Sequence, residues 1–472
     1  MSLFVENQSF NDRVLAIDDE NVSIKYGELH DYTRKLTNVI GDRCLVFLYT
    51  SNTIGSLVNY LALMRNKIVP VLLNCQLEKE LSDELLDAYL PEYIIIPQDI
   101  MDKYAEFECV SKQYGYCIMK TNFENSYPLF DELALLLTTS GSTGSPKLVR
   151  QSYKNIDANA KSIVEYLELD ATERPITTLP MNYTYGLSII NSHVLVGATI
   201  LVTDKSFMQK EFWNFFKAQE ATSFGGVPYN YEILDKLRFF RMQLPSLKTM
   251  TQAGGKLSPE LHKKFAEYAQ SCGKKFVVMY GQCEATARMA YLPAEKSLEK
   301  YGSMGIAIPG GEFTLIDAEG KEIDNPDETG ELVYSGLNVT LGYAESGADL
   351  VKGDERHGVL QTGDMAKRDK DGFYYIVGRK KRFLKVYGNR VNLDETERLL
   401  KAHFSYIDCA CGGIDDHMYI FITEPTIEND VKTFISGITH LNPAAFKVVI
   451  IETIPKNDSG KTRYAELEEY YN

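Results

Sequence analysis

Short apolar runs alternate with longer amphipathic segments from residue 40 to about 290. LVFLYT at 45 is followed by TIGSLVNYLALMRN at 53, IVPVLL at 68, a helical stretch, and YIIIP at 93. Short runs that are apolar throughout suit strands covered on both faces, and the helix-length segments between them suit crossovers. The pattern predicts parallel sheets flanked by helices, an α/β arrangement. After Gly302 the texture changes. FTLIDAEGKEI, GELVYSG and GFYYIVGR read as short strands separated by turns of Asp, Glu and Gly, which predicts antiparallel β structure appended to the α/β body. The basic run Arg379-Lys380-Lys381-Arg382 then opens a last segment of mixed strand and helix signals. There LDETERLLKAHF reads as an amphipathic helix begun near Asn392. A boundary is expected at about 380, dividing a body of residues 1–380 from a segment of residues 381–472. No repeat and no low-complexity tract interrupts this order.

The chain has 472 residues, enough for about three average domains, although large α/β units absorb more chain than that rule assumes. Its hydrophobic fraction is 44%, and no run approaches the ~18 apolar residues of a membrane span, so a globular protein is expected. Lys and Arg total 50 against 65 Asp and Glu, a net charge of -15. That balance argues against a nucleic-acid surface, and leaves open a nucleotide pocket that needs only a few local donors. The stretch from Met1 to Arg13 carries neither a basic leader nor an apolar run, so the expected location is cytoplasmic. Cysteines at 44, 75, 109, 117, 272, 283, 409 and 411 are scattered, and thiols are expected. Cys409 and Cys411 form C-x-C inside an apolar segment with no second cluster, which favours buried strand cysteines over a metal site.

The strongest local signal is LALLLTTSGSTGSPKLVRQS at 133, where an apolar strand enters a loop crowded with hydroxyls and glycines and closed by a lysine. Gly141 and Gly144 permit close approach of backbone N–H groups to anionic oxygens, and Thr138, Thr139, Ser140, Ser142 and Thr143 add donors. Lys147 supplies charge. A plain surface turn would not need this density of donors between a strand and a Pro-Lys pair, so the loop is read as a phosphate cradle. It is not a Walker A loop, which requires G-x-x-x-x-G-K-[ST]; here the glycines fall at 141 and 144, with lysine three positions later. Gly460-Lys461-Thr462 imitates the end of that motif, but Pro455 stands where its first glycine belongs.

TTSGSTGSPK resembles the signature of the adenylate-forming superfamily, which includes acyl- and aryl-CoA synthetases, luciferases and the adenylation domains of peptide synthetases. Four further segments stand in that family's order: MYGQCEATARM at 279, GELVYSG at 330, LQTGDMAKRDKDGFYYIVGRKKRFLKVYGNRVNLDETE at 360, and IPKNDSGKTRY at 454. The resemblance implies a large N-terminal domain of two α/β sheets plus a β-barrel-like subdomain, followed by a small mobile α+β C-terminal domain. It implies ATP, Mg²⁺ and a CoA or pantetheine thiol as cofactors. The implied reaction joins a carboxylic acid to AMP with release of pyrophosphate, then passes the acyl group to the thiol.

By matching motif to motif, the resemblance sets Tyr280 and Gly281 against the nucleotide, Gly254 in the loop along the adenine, and Glu284 on Mg²⁺. Magnesium suits one carboxylate combined with phosphate oxygens. Cys283 stands where the family usually has Thr, and a thiol is a weaker donor than a hydroxyl. Asp364 and Arg379 match the ribose ligands. Lys461 matches the catalytic lysine that bridges the acid carboxylate and the α-phosphate. Lys381 matches the hinge about which the C-terminal domain swings, bringing Gly388 and the strand through Arg390 to the pantetheine tunnel.

LPMNYTYGLSIINSH at 179, with Tyr183 and Gly186, and SFGGVP at 223, with Gly225 and Gly226, match the walls of the family's acyl pocket. Amino-acid adenylation domains carry an Asp early in the first of these segments, where this chain has Asn182, Tyr183, Thr184 and Tyr185. The expected substrate is therefore a small carboxylic acid that is not an amino acid: fatty, hydroxylated or aryl. Only residues 398 to 454 separate Glu397 from Pro455, a compact C-terminal segment. The acceptor expected is CoA, with the phosphopantetheine of an acyl carrier protein as the main alternative. A luciferase-like oxygenation remains an open motif-level alternative. So does a non-catalytic nucleotide- or acyl-binding module, which Cys283 suggests and which the retention of Glu284, Asp364, Arg379 and Lys461 opposes.

Overall fold

The computed structural model describes residues 2–123, 127–138, 147–386, 389–404, 406–414, 416–439, 441–456 and 462–471. They gather into two compact units, one of residues 2–138, 147–312 and 334–360, the other of residues 313–333 and 361–471.

The first unit is built on an eight-stranded sheet. Its order is Gly342–Ala344, Leu148–Ser152, Leu133–Thr138, Val69–Asn74, Leu45–Thr50, Tyr93–Pro97, Tyr116–Lys120 and Glu108–Gln113. The four central strands are parallel, and antiparallel neighbours close both flanks. LVFLYT is buried at every position, as expected of a strand covered on both faces. The helix Ile54–Arg65 is buried around its circumference, which explains its nearly unbroken apolar sequence, and Thr53 caps it by accepting from the Ser56 N–H. A second sheet runs Ser223–Gly226, Thr249–Gln252, Lys275–Tyr280, Ala290–Tyr291, Ile306–Ala307, parallel for three strands and antiparallel thereafter. A three-stranded sheet of Ile200–Val202, Val14–Asp18 and Ser23–Lys25 completes the unit, tied to the second sheet through Pro175 and Ile176.

In the second unit the strands Gly311–Ile316, Thr329–Gly336, Val359–Arg368 and Tyr374–Arg379 form a sheet whose first three members begin or end in the neighbouring segments. The chain then makes the hairpin Phe383–Val386/Asn389–Asn392 and the sheet Cys409–Ile414, His417–Ile422, Phe446–Ile450. The helix foreseen near Asn392 spans Leu393–His403; the Asn392 side chain accepts from the N–H groups of Asp394 and Glu395. It packs with Glu428–Thr439 over one face, where Leu400, Ile420, Val431 and Ile435 are buried; Tyr419, Phe421 and Leu467 fill the other. Cys409 and Cys411 are buried strand cysteines, and burial raises both thiols. Among the described residues no helix is long and apolar enough to cross a membrane.

Candidate active site

The strand Leu133–Thr138 delivers the chain to the hydroxyl-rich loop, and Leu148–Ser152 takes it away antiparallel. Thr139, Ser140, Gly141, Ser142, Thr143 and Gly144 lie outside the described residues. Lys147 is described, immediately before the outgoing strand. That strand pairs with Gly342–Ala344, setting Tyr343 opposite Val149, and the Lys147 ammonium lies 3.9 Å from the centre of the Tyr343 ring. The Arg356 guanidinium lies 4.7 Å from the same ring. The Tyr343 hydroxyl donates to Glu284 Oε1 at 2.7 Å, and burial, reinforced by the Glu284 charge, pushes the phenol up to about 12. It therefore remains a donor at neutral pH. Arg356 Nη1 donates to the Glu284 carbonyl at 3.0 Å and to Thr340 Oγ1 at 3.2 Å. Two cations and one carboxylate thus converge on one phenol beside the loop, a net positive environment suited to a polyphosphate.

Glu284 is presented by a strained turn. A side chain on Gly281 would overlap the Ala287 carbonyl, and Thr286 and Ala287 have φ of 53° and 91°. Such values are uncommon for any residue with a Cβ, above all for a β-branched one such as Thr286. Asn338 secures the turn: its Nδ2 donates to the carbonyls of Ala285 and Arg288 at 2.8 and 3.0 Å, and its carbonyl accepts from Thr286 Oγ1 at 2.7 Å. Tyr280 ends the preceding strand, its hydroxyl 3.2 Å from Gln282 Nε2.

Tyr183, expected in the acid pocket, and Gly254, expected along the adenine, meet directly. Gly254 has φ of 83°, and a side chain on it would overlap the Tyr183 hydroxyl. Burial raises the Tyr183 phenol, with Tyr185 and Cys283 as smaller electrostatic causes. Gly225 lies under Tyr185: a Cβ there would come within 2.9 Å of its hydroxyl and 2.7 Å of Ile189 Cδ1. Gly226 is packed by Tyr231 and Asn230, and a side chain on Gly186 would overlap the Pro180 carbonyl. These glycines let aromatic rings and backbone approach closely. The Tyr185 hydroxyl is hydrogen-bonded to Thr251 Oγ1 at 2.7 Å.

In the second unit Asp364 and Arg379 are directly opposed across the Val359–Arg368/Tyr374–Arg379 pair, with Arg379 Nε 3.9 Å from Asp364 Oδ1. Asp364 is buried and its N–H donates to Thr362 Oγ1, whereas the Arg379 side chain is exposed. Lys381 is exposed between two paired neighbours. Lys380 Nζ meets Glu331 at 2.7 Å, and Arg382 is held by Asp394 and Glu397 and lies over the Tyr464 ring. Lys461 and Gly388, and the side chain of Arg390, lie outside the described residues. Sequence reasoning missed Tyr343, Arg356, Asn338 and Thr340, which reach the site from a stretch between two recognised motifs. The only sequence signal near them is that they follow GELVYSG directly.

A sequence profile of AMP-binding enzymes matches residues 3–344. The chain belongs to the AMP-binding enzyme family. Its relatives are CoA ligases. The peroxisomal OPC-8:0-CoA ligase 1 of Arabidopsis thaliana is 30% identical over 356 residues, covering 71% of this chain and 64% of that protein. The 2-succinylbenzoate–CoA ligase of Bacillus licheniformis is 28% identical, covering 74% of this chain and 72% of that one. The matched region spans a little under two thirds of the first relative's length, at 64%. Among solved structures, O-succinylbenzoate coenzyme A synthetase from Bacillus subtilis with AMP superposes with a TM-score of 0.81, at 21% identity over 99% of this chain and 97% of that one. The same enzyme with ATP and magnesium ion gives 0.78, at 21% identity over 99% of this chain and 98% of that one. The α/β fold of this AMP-binding enzyme is thus the fold of those synthetases.

Proposed function

We propose that this AMP-binding enzyme is an ATP-dependent acid–thiol ligase that adenylates a non-amino-acid carboxylic acid and transfers the acyl group to CoA. The observation that carries the reading is the Lys147–Tyr343–Glu284–Arg356 cluster beside the hydroxyl-rich loop. Adenylation brings a carboxylate against a phosphate anion, so the chief work is neutralising charge and holding the two in line. Lys147 and Arg356 face the phosphates. Glu284 fits a magnesium ion: Tyr343 fixes Oε1, while Oε2 accepts from no described residue. Bound there, the ion screens the phosphate oxygens. Lys461 bridges the acid and the α-phosphate as a carboxylate oxygen bonds to phosphorus and pyrophosphate leaves. In the second step the thiol loses its proton and attacks the carbonyl carbon, and AMP departs.

Asp364 and Arg379 hold the ribose, Tyr280, Gly281 and Gly254 border the base, and Tyr183, Gly186, Gly225 and Gly226 shape the acid pocket. Lys381 is the hinge at the boundary near 380, and Gly388 and Arg390 line the thiol's approach. The eight free cysteines fit a reducing, cytoplasmic compartment. The test is product analysis. With ATP, Mg²⁺, CoA and an acid that supports exchange, mass spectrometry should detect the acyl-CoA thioester; thioester on a pantetheinylated carrier protein and none on CoA would transfer the reading to the carrier. AMP and acyl-adenylate without any thioester would overturn the ligase assignment.

A further inference from the structure

Three arginines are buried among the described residues: Arg150, Arg288 and Arg382. Two of them are neutralised in place. Arg150 pairs with Glu355, and Arg382 reaches Asp394 at 2.8 Å and Glu397 at 2.5 Å. Arg288, only 2% exposed, meets no carboxylate among the described residues. Its Nε donates to Ser188 Oγ at 3.0 Å, and its Nη1 donates to the Tyr166 hydroxyl at 3.0 Å and lies 3.4 Å from Met279 Sδ. The Tyr185 ring centre lies 5.2 Å from the guanidinium carbon. Nη2 donates to no described residue. Burial pushes the Tyr185 phenol up to about 12 and raises that of Tyr166, so neither supplies an anion. A cation taken out of water without a counter-ion is strongly disfavoured, and buried arginines are ordinarily paired.

The surroundings say where the missing anion belongs. Tyr166, Tyr185 and Met279 share an apolar cluster with Tyr183 and Val227, which belong to the segments expected to wall the acid pocket. Arg288 is also fixed in place. It follows the strained Thr286-Ala287 pair, and its carbonyl accepts from Asn159 Nδ2 at 2.8 Å and Asn338 Nδ2 at 3.0 Å. The same turn thus presents Glu284 and Arg288, four residues apart.

We propose that Arg288 is the specificity-determining residue of the acid pocket, and that the substrate is a dicarboxylic acid whose second carboxylate Arg288 neutralises while the first is adenylated. The inference rests on the ligase reading above and adds the charge of the substrate. The unengaged Nη2 can donate a charge-assisted hydrogen bond to a carboxylate oxygen, and the guanidinium charge balances that of the carboxylate.

The test compares matched acids in ATP–pyrophosphate exchange with the full chain: pentanoic against pentanedioic, octanoic against octanedioic, benzoic against benzene-dicarboxylic. The wild type should favour the dicarboxylic member in kcat/KM by on the order of 100-fold in at least one pair, the effect of a buried charged pair. Arg288→Gln should erase that preference mainly by raising the KM of the dicarboxylic member, and Arg288→Lys should restore part of it. A wild-type preference for monocarboxylic acids overturns the proposal even if Arg288→Gln fails to fold. So does an equal loss on both members of a pair. Exchange with no acid at all refutes the ligase reading itself, a different failure from a reversed preference.

Discussion

Replacing Tyr343 by Phe removes one hydroxyl and leaves the ring that Lys147 and Arg356 approach at 3.9 and 4.7 Å. The loss is the hydrogen bond to Glu284 Oε1 at 2.7 Å, a neutral donor on a charged acceptor. Such a bond contributes about 1.5–3 kcal/mol, or roughly 10- to 150-fold in rate or affinity. Because Tyr343 acts through Glu284, the effect should fall on the metal-nucleotide side: KM for MgATP and the Mg²⁺ requirement rise, while KM for the acid stays near wild type. Tyr343→Leu also removes the ring, adding ~0.5–2 kcal/mol for each cation displaced from its face. The expected order of kcat/KM for MgATP is wild type, then Phe, then Leu. Steady-state exchange kinetics over a Mg²⁺ series, on variants with wild-type melting temperatures, measure it. A Phe variant indistinguishable from wild type, or one in which only the KM of the acid moves, refutes the role given to this phenol.

Lys381→Pro fixes φ near -65° at the proposed hinge; exchange should survive while thioester formation falls, and equal loss of both would remove Lys381 from that role. Cys283→Thr restores the stronger donor at the turn before Glu284, and exchange should rise several-fold in kcat; no change would show that the thiol's place carries no phosphate contact. His262 should make stability depend on pH. Its Nδ1 accepts from the Gly302 N–H at 3.1 Å, and burial lowers its pKa from 6.5 to about 4, so the folded chain holds it neutral where the unfolded chain binds a proton. This stability is complete above pH 6.5 and is lost as pH falls toward 4, by on the order of 3 kcal/mol. His262→Asn, which keeps an acceptor near the Gly302 N–H, should flatten the fall in melting temperature across that window; an unchanged profile would discount His262.

The layers of the body were legible because burial on both faces writes itself into sequence: LVFLYT and IVPVLL are apolar throughout and form central strands. Asp364 and Arg379 were named together because both match the family's ribose ligands, and the antiparallel strands set them opposite each other. The edge hairpin Glu108–Gln113/Tyr116–Lys120 was not, since ECVSKQ is mostly exposed and its alternation is weak. Tyr343 and Arg356 escaped for another reason. Nothing in GYAESG or DERHG marks chemistry; Tyr343 matters through a strand pairing with residues nearly two hundred positions earlier, and Arg356 through its hydrogen bonds to the Glu284 carbonyl and Thr340. Arg288 stood within a recognised motif, but only tertiary packing reveals that it is buried without a carboxylate.

The central claim is that this chain activates an acid as an adenylate, and isotopic ATP–pyrophosphate exchange tests it most directly. With MgATP and a panel of mono- and dicarboxylic acids, exchange should depend strictly on the acid, and Lys461→Ala should lower it about 100- to 1000-fold, the effect of losing a transition-state contact, without abolishing nucleotide binding. Nucleotide binding with no acid-dependent exchange in the wild type across that panel would contradict the account and mark the protein as a binding module.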